Sequence, residues 1–417
     1  MRVRDLRQLI RLQPFERSAV ARRLSHCHDI DDLRVAARRV LPKSVFDYVD
    51  GGADEEVSLV ANRDAFQRYG FVPRAMEDVT SVSLATRVLG SDFEAPIGLA
   101  PTGYTRLVDP AGELAVARAA ASRGVPYVLS TVGTTTIEEL ASESRRNLWF
   151  QLYVLRDRSL TWSLMERAAA AGVSTLEISV DTATSGRRLR DVRNGFTIPP
   201  TLTLSTLADI AFNFGYWVKM VKSPALSFAN IARPSNDDFA TIADISSLFD
   251  PTLSWDDLAE IRARWPGQLL VKGPLSVNDA KRAVDVGVDG IHLSNHGGRQ
   301  LDRAIAPIEL VRPVRERVGE ECTIIMDSGI RHGADVLVAL AQGADLCMVG
   351  RPYLYGLAVA GERGVCRAID LLVEQLQRTM QLCGLTSLVD LRKYGEEIVV
   401  RNEPASHTYP ARRSGEH

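Results

Sequence analysis

The segment Gly290-Ile291-His292-Leu293-Ser294-Asn295-His296-Gly297-Gly298-Arg299-Gln300-Leu301-Asp302 joins an apolar run to a polar, glycine-containing stretch. The apolar part predicts the end of a buried strand, and the remainder predicts the loop that follows it. His296 can remove a proton near neutral pH, and Arg299 can hold a carboxylate through two parallel hydrogen bonds. Paired glycines let the backbone approach a bound ligand closely. This combination suits chemistry at the α-carbon of a small acid.

Similar apolar runs of the β type recur on both sides of this segment, and alanine-rich stretches with helical periodicity separate them. Eight such β/α units in series favour a (β/α)₈ TIM barrel, an α/β fold, over an open doubly wound sheet. The predicted strands are Pro96–Pro101, Tyr127–Thr131, Trp149–Val154, Thr175–Asp181, Gln268–Gly273, Gly290–Ser294, Thr323–Ser328 and Leu346–Arg351. The predicted helices include Glu113–Arg123, Leu160–Ala171, Val277–Val286 and Gly333–Gln342, each with a glycine near its C-terminal end.

Polar or charged side chains stand at the ends of nearly all these strands. In a barrel of this kind the C-terminal ends of the strands meet around one cavity, which forms the active face. An isolated polar residue at a strand end is usually a cap, but a complete set around the barrel indicates a functional cavity. The set comprises Thr102, Ser130, Gln151, Tyr153, Asp181, Lys272, His296, Asp327 and Arg351.

The interval between the fourth and fifth strands is about ninety residues long, much longer than the others. The excess predicts an insertion over about residues 200–250, which contains the aromatic and basic stretch Phe212–Lys222 and the polar turn Ser235–Asp238. A lid or a subunit contact is one interpretation of this insertion. A patch that enters one face of a membrane is the other.

The chain is predicted to hold one large domain with an N-terminal helical extension. We place a basic N-terminal arm at residues 1–30, the barrel domain at 31–395 and a C-terminal tail at 396–417. Arginines interleaved with leucines make the arm unlike a secretory signal. The arm is either a solvated or oligomer-docking extension or a contact to an anionic membrane surface.

The composition argues against several classes of protein. A formal charge of -2 from 50 basic and 52 acidic residues gives no global attraction to nucleic acid. The five cysteines form no CxxC pair, which favours reduced thiols in a cytoplasmic protein. No long uncharged run predicts a spanning helix, and no GxGxxG motif follows a first strand. The group His26-Cys27-His28-Asp29 lacks a second ligand pair, so we expect no metal site.

Across about residues 30–400 the chain resembles the FMN-dependent family that oxidises L-2-hydroxy acids. The run Ser294–Asp302 matches the signature of that family. The family includes glycolate oxidase, lactate oxidase, mandelate dehydrogenase and quinone-linked L-lactate dehydrogenases. Further matching segments are Val45–Tyr48, Ala100–Gly103, Phe150–Tyr153, Val180-Asp181, Val271–Gly273, Asp327–Gly329 and Gly350-Arg351.

This resemblance implies catalytic roles for particular residues. His296 would be the base that takes a proton from the substrate, and Asp181 would bind its other ring nitrogen and stabilise the imidazolium. Tyr153 would lie beside the hydroxyl-bearing carbon, and Lys272 would face the N1 and O2 edge of the flavin. The substrate carboxylate would be held by Arg299, Arg188 and Tyr48.

The resemblance also implies how FMN would be bound. Its phosphate would be held at the ends of strands seven and eight, a common phosphate site in this fold, by Gly329, Gly350 and Arg351. Asp327 and Arg331 would lie near the phosphate and the ribityl chain. The remaining flavin contacts implied are Ala100, Thr102, Gly103, Ser130, Gln151, Ser179, Lys272 and Ser294.

Three features bear on the electron acceptor and the substrate. Gly103 stands where many oxygen-using members carry alanine, which favours another acceptor. Val132 stands where glycolate oxidase-like members have tryptophan, so a larger pocket is expected. The segment Arg190–Pro200, together with the basic arm, looks most like actinobacterial-type quinone-linked L-lactate dehydrogenases.

We therefore expect FMN-dependent oxidation of a small 2-hydroxy acid, best L-lactate to pyruvate, with electrons passed to quinone or another organic acceptor. An oxygen-using oxidase or monooxygenase, including one for aromatic substrates such as mandelate, is the first alternative. A barrel that binds flavin or an acid without turnover is the second. The resemblance also implies a homo-oligomer, a tetramer or larger, in the cytoplasm and peripherally attached to the inner face of the cell membrane.

Overall fold

A computed structural model of the chain describes residues 18–143, 147–195, 213–231 and 247–402. Eight parallel strands form a closed barrel in which each strand lies beside the next and the last pairs with the first, Cys347 opposite Ile97. The predicted TIM barrel is confirmed. Its strands are β1 (Ile97–Leu99), β2 (Tyr127–Ser130), β3 (Leu148–Leu152), β4 (Thr175–Ser179), β5 (Gln268–Gly273), β6 (Gly290–Leu293), β7 (Thr323–Met326) and β8 (Leu346–Val349).

Helices connect successive strands along the outside of the barrel. The four helices predicted above are confirmed, with ends shifted by at most two residues. The connecting helices are Thr105–Val108, Gly112–Ser122, Ile137–Glu143, Arg158–Ala170, Leu189–Arg193, Phe214–Val221, Trp255–Arg264, Val277–Val286, Ile308–Val318 and Gly333–Ala341, and the chain continues after β8 through Arg351–Ala360, Glu362–Leu382 and Leu388–Ile398.

Local sequence explains where these helices begin and end. Ser254 accepts a hydrogen bond from the backbone of Asp257 while the Asp257 carboxylate binds the backbone of Ser254, a reciprocal cap that starts one helix. Ser276 caps the next helix in chain order through Asp279. That helix ends at Gly287, whose φ of 97° is a left-handed conformation that other residues rarely adopt.

The barrel interior contains an apolar cluster that is separate from the main core between strands and helices. Ring centroids of Trp149 and Phe93 lie 6.2 Å apart in an edge-to-face arrangement. Phe93 belongs to a hairpin, Thr86–Val88 with Ser91–Phe93, which precedes β1 and closes the N-terminal end of the barrel. The cluster comprises Val88, Phe93, Ala100, Val128, Trp149, Leu270, Ile325, Leu346 and Met348.

The N-terminal extension is helical, as predicted, and packs on the barrel domain. Ile30, Leu33 and Ala37 are buried in the main core. At the other end, strand Val399–Arg401 pairs antiparallel with Tyr69–Phe71, so ordered structure crosses the predicted boundary at residue 395. Residues 1–17 of the arm and 403–417 of the tail lie outside the described residues. The extension comprises Ala19–Ser25, Ile30–Val40, Lys43–Asp50, Val57–Asp64 and the 3₁₀ turn Ala65–Arg68.

The long interval between β4 and β5 is confirmed, although the structure describes only part of it. Its described helices are Leu189–Arg193, Phe214–Val221 and Trp255–Arg264. The polar turn at 235–238 lies outside the described residues. None of the helices in the described part of the chain has the length and apolar character needed to span a bilayer.

Candidate active site

A large cavity opens at the C-terminal ends of the barrel strands, where the sequence places the functional face. Together with its open mouth it encloses about 1380 Å³. Most of the predicted site residues line it together. They are Tyr48, Ala100, Thr102, Gly103, Tyr153, Arg188, Lys272, His296, Arg299, Asp327, Gly329, Arg331, Gly350 and Arg351.

Five predicted residues do not line the cavity but lie next to those that do. Ser130, Gln151, Ser179 and Ser294 are buried on or just after the barrel strands. Asp181 is also covered, with its side chain 4 % exposed against 24 % for His296. These five residues therefore support the lining residues or meet a ligand from below.

His296 and Asp181 form a pair suited to proton removal. The Nδ1 atom of His296 lies 3.1 Å from Oδ2 of Asp181, which leaves the other ring nitrogen to face the cavity. Burial opposes ionisation of Asp181, but His296 and Lys272 outweigh it, so the pKa of this carboxyl lies below its ordinary value. A fixed carboxylate behind an imidazole stabilises the charge that the base gains when it takes a proton.

The backbone around His296 is held in an unusual conformation. The φ angles of His296, Gly297 and Gly298 are 58°, 64° and 72°, three left-handed residues in a row. A Cβ on Gly297 would lie 2.5 Å from Nη1 of Arg351, and one on Gly298 would lie 2.7 Å from the backbone nitrogen of Leu59. Glycine is therefore required at both positions, and a strained loop of this kind is common at functional sites.

The polar residues of the signature run that carry no predicted chemistry anchor this loop. Asn295 exchanges two side-chain hydrogen bonds with Asn62, at 2.8 and 2.6 Å. Asp302 accepts from the backbone nitrogens of Glu55 and Ser58 at the start of helix Val57–Asp64. Gln300 donates to the backbone oxygen of Asp181 at 2.7 Å. The loop is thereby fixed to the N-terminal extension and to the end of β4.

Two cations and a tyrosine lie together on one wall of the cavity. The guanidinium carbons of Arg299 and Arg188 lie 5.0 and 5.7 Å from the ring centroid of Tyr48. Among the described residues, Arg299 donates hydrogen bonds only to backbone oxygens, those of Tyr48 and Gly51. Burial and the nearby Arg188 lower the pKa of Arg299. A buried cation of this kind favours an anionic ligand such as a carboxylate.

A second group of cations lies at the ends of β7 and β8. Arg351 donates to the backbone oxygens of Val49, Gly51 and Gly297, so three of its five N–H groups bind protein in this structure. Burial and Arg299 lower the pKa of Arg351 to about 9. The buried Nε of Arg331 has no partner among the described residues. An anion at this end of the cavity would satisfy both arginines.

The cavity floor also fits a ring system that carries hydrogen-bond acceptors. Ser130 donates to Oε1 of Gln151 at 2.9 Å. This hydrogen bond orients the amide so that its Nε2 points away from Ser130. That buried nitrogen and the buried hydroxyl of Ser179 have no partner among the described residues. Buried donors are normally satisfied, so a ligand with acceptor atoms is expected here. FMN has such acceptors on its ring and a phosphate for the arginine end.

The structure adds residues that were not among the predicted site residues. Phe228 and Phe249, both between β4 and β5, line the cavity beside Tyr153, whose ring centroid lies 4.5 Å from that of Phe249. Below the cavity, Glu177 and His292 are fully buried and paired. His292 stood inside a predicted strand and Glu177 inside another. Side chains of a barrel strand alternate between the interior and the exterior, so both residues could have been assigned to the interior. Their contact could not have been predicted in this way.

Comparisons with known proteins agree with this geometry. Residues 37–397 match the model of the FMN-dependent dehydrogenase family. A Mycobacterium tuberculosis protein, provisionally named an L-lactate dehydrogenase, is 45% identical over 392 residues that cover 94% of each chain. The 4-hydroxymandelate oxidase of Amycolatopsis orientalis is 40% identical and covers 88% of this chain and 98% of its own.

A solved structure is similar across nearly the whole fold. It is described as the monotopic membrane protein (S)-mandelate dehydrogenase and is 36% identical with a TM-score of 0.85. The match covers 90% of this chain and 99% of that one. The family predicted from the sequence is confirmed: the chain belongs to the FMN-dependent dehydrogenases that oxidise 2-hydroxy acids.

Proposed function

We propose that the protein oxidises L-lactate to pyruvate and passes the electrons to a quinone or another organic acceptor. The observation that carries the proposal is that His296, with Asp181 behind it, faces the same cavity as Arg299, Arg188 and Tyr48, which we propose to bind the carboxylate. One acid can thus be held by its carboxylate while a base reaches its α-carbon or hydroxyl.

The proposed mechanism assigns each step to a side chain. Arg299 and Arg188 bind the carboxylate and orient the α-carbon toward His296. His296 takes one proton on its free ring nitrogen while Asp181 stabilises the imidazolium. FMN, when bound, would supply the acceptor for the two electrons and the second hydrogen of the oxidation. Lys272 supplies a buried positive charge on the floor of the cavity, where it would stabilise negative charge on the cofactor.

FMN would be held by groups at opposite ends of the cavity. The buried amide of Gln151, the hydroxyl of Ser179 and Lys272 would hold the ring system, and Gly329, Gly350, Arg331 and Arg351 would hold the phosphate. The remaining predicted contacts, from Ala100, Thr102, Gly103, Ser130, Ser294 and Asp327, complete this site. Supporting observations are the unpartnered buried donors and the cations described above.

Aromatic 2-hydroxy acids are a second candidate substrate class. Phe228, Phe249 and Val132 line the cavity, and an apolar wall of this kind can pack against a phenyl group. Two of the similar proteins act on mandelate-type acids according to their names. We retain L-lactate as the proposed substrate because the Mycobacterium tuberculosis protein that is 45% identical to this chain is named for it.

The test is anaerobic mixing of the FMN-loaded protein with L-lactate, glycolate and (S)-mandelate. Bleaching of the flavin absorbance is followed by stopped flow. The ratio of the rate constant of flavin reduction to Kd is expected to be largest for L-lactate. A larger ratio for mandelate would contradict the proposal. Reoxidation of the reduced protein by oxygen and by a soluble quinone analogue then identifies the acceptor. Faster reoxidation by oxygen would replace the dehydrogenase with an oxidase.

We also propose that the protein acts while bound to a membrane surface on the cytoplasmic side. Helix Phe214–Val221 is fixed to the barrel through Tyr216, which donates to the backbone oxygen of Leu107 at 2.7 Å. Phe214 and Val221 lie seven residues apart on one helix face and are 69% and 82% exposed. Lys219, which also pairs with Asp109, and Lys222 are close to them in the sequence, and such a mixture of exposed apolar and basic residues is typical of helices that lie in a membrane interface.

Co-sedimentation with vesicles containing anionic lipid tests this second proposal. Phe214→Asp is expected to lower the bound fraction, with the exposed Val389→Asp as a matched control far along the chain. Equal binding of the two variants would contradict a role for this helix. Light scattering of the purified protein tests the homo-oligomer, a tetramer or larger, that the family resemblance implies.

A further inference from the structure

Four ionisable side chains meet inside the barrel, two on the floor of the cavity and two directly below it. Glu177 and His292 are 0% exposed, and Lys272 is 3% exposed. Oε2 of Glu177 lies 2.6 Å from Nδ1 of His292, and Nε2 of His292 lies 3.3 Å from Oδ2 of Asp327. The same Asp327 oxygen lies 3.4 Å from Nζ of Lys272. The groups therefore form one line from Glu177 to Lys272.

The line crosses the barrel from strand to strand. Glu177 comes from β4 and His292 from β6, which are not neighbours, so their contact runs through the barrel interior. Lys272 comes from β5, and Asp327 follows β7. Below the line lies the apolar cluster around Trp149 and Leu270. A charged side chain in such a place is retained only when an opposite charge accompanies it.

When His292 is protonated, the charges of the line alternate and sum to zero. Burial opposes the charged form of His292, but Glu177 and Asp327 outweigh it, so the pKa of His292 lies above its ordinary value. Burial likewise opposes the charged form of Lys272, yet Asp327, Asp181 and Glu177 raise its pKa. Nε2 of His292 has no aligned hydrogen bond to Asp327, so their contact at 3.3 Å depends on the charge of the imidazole.

The end of the line at Lys272 connects to the loop that carries the base. Lys272 donates to Oγ of Ser294 at 2.9 Å, and the backbone nitrogen of His296 donates to the same oxygen at 3.0 Å. Ser328 donates to Oδ1 of Asp327 at 2.6 Å and accepts from the backbone nitrogen of Gly297 at 3.0 Å. Movement of Lys272 or Asp327 would therefore displace the loop around His296.

We propose that Glu177 and His292 are positioning residues, a buried ion pair that holds Asp327 against Lys272 and so sets the charge that Lys272 presents to the flavin. The proposal rests on the proposed function in one respect, the placement of the flavin against Lys272. Neither Glu177 nor His292 lines the cavity, so their effect on the reaction passes through Asp327 and Lys272.

The reduction potential of bound FMN distinguishes this role from simple packing. His292→Gln removes one positive charge and leaves Glu177 and Asp327 with a single cation. Electron uptake next to Lys272 then becomes less favourable, so the midpoint potential is expected to fall and anaerobic flavin reduction to slow by about tenfold. Adding Glu177→Gln restores a net charge of zero, and the double variant is expected to recover most of the wild-type potential.

A matched control is His28→Gln, which changes an exposed histidine in the N-terminal extension. Its potential is expected to equal that of the wild type. An unchanged potential in His292→Gln, or a double variant that is no closer to the wild type than the single one, overturns the proposal. A lower melting temperature without a shift in potential assigns the pair to packing alone and overturns it as well.

A measurement on the unmodified protein covers the case in which His292→Gln does not fold. Nitrogen-15 NMR of histidine-labelled wild-type protein is expected to show both ring nitrogens of His292 protonated at pH 7. A neutral ring would contradict the ion pair. Because the potential is measured with redox dyes rather than substrate, it also separates the two proposals. If no hydroxy acid reduced the flavin, the proposed function would be wrong, whereas the proposal for the ion pair would be unaffected.

Discussion

The barrel interior is filled in two different ways at its two levels. Towards the closed end, Trp149, Leu270 and their neighbours form an apolar cluster sealed by the hairpin of Phe93. Towards the open end, strands β4, β5 and β6 carry Glu177, Lys272 and His292 in place of apolar residues. The lower level stabilises the fold through burial of apolar area, whereas the upper level holds charge where the chemistry needs it. Substitutions at the two levels should therefore affect different measurements.

The largest expected effect is on the base. His296→Ala removes the group that takes the proton, so the rate constant of anaerobic flavin reduction should fall by about 10²–10⁴-fold. The free energy of unfolding should change little, because His296 is partly exposed at the cavity. Stopped-flow absorbance with L-lactate measures the rate, and FMN content per chain verifies loading. Reduction at the wild-type rate would rule His296 out as the base.

The closed end should respond in the opposite manner. Trp149→Ala leaves a cavity against Phe93 and should lower the free energy of unfolding by about 3–5 kcal/mol. Turnover by the protein that remains folded should stay within about threefold of the wild type, a change below 1 kcal/mol. Urea unfolding and steady-state kinetics provide the two values. Trp149→Phe, which keeps a ring next to Phe93, is the control and should lose less stability.

A smaller effect is expected at the carboxylate behind the base. Asp181→Asn keeps the shape of the side chain but removes the charge that stabilises the imidazolium of His296. Flavin reduction should slow by about 10–10²-fold, less than for loss of the base itself. Asp256→Asn, an exposed residue of helix Trp255–Arg264, serves as the control. A reduction rate equal to that of the control would separate Asp181 from the mechanism.

The smallest expected effect is a steric one at the cavity wall. A Cβ on Gly103 would lie 2.5 Å from Cγ2 of Val132, so Gly103→Ala requires the valine tip to move. We expect a change of about two- to fivefold in the rate of reduction by L-lactate, less than 1 kcal/mol. Val132→Ala removes the clashing atom, and the double variant should recover most of the rate. If the double variant is as slow as Gly103→Ala, the contact is not the cause.

The two levels also differ in how much of them the sequence predicts. The barrel strands could be predicted because each is a short apolar run between helical stretches, and Gln268–Gly273 was placed with both ends correct. The hairpin at the closed end and the pairing of Tyr69–Phe71 with Val399–Arg401 were missed. Strands of three residues show too little alternation to be recognised.

The candidate site shows the same division. Residues next to one another in a signature run, such as His296 and Arg299, could be assigned because the run itself is specific. The pairing of Glu177 with His292 could not, since the two residues lie 115 positions apart and meet only through closure of the barrel. The hydrogen bonds from Arg351 to backbone oxygens could not be predicted either, because they depend on the position of Val49 and Gly51 in the folded chain.

The aromatic part of the cavity wall and the floor of the cavity belong to separate stretches of chain, and this has a consequence for how the protein can diversify. Phe228 and Phe249, which face the proposed substrate, are carried by the long interval after β4, whereas His296 and Lys272 stand on or next to strands. Mutations at Phe228 and Phe249 can reshape acceptance of new acids without changing His296, Asp181 or Lys272. Exchange of residues 213–231 and 247–250 between relatives is therefore the natural starting point for redirecting such an enzyme to a different acid.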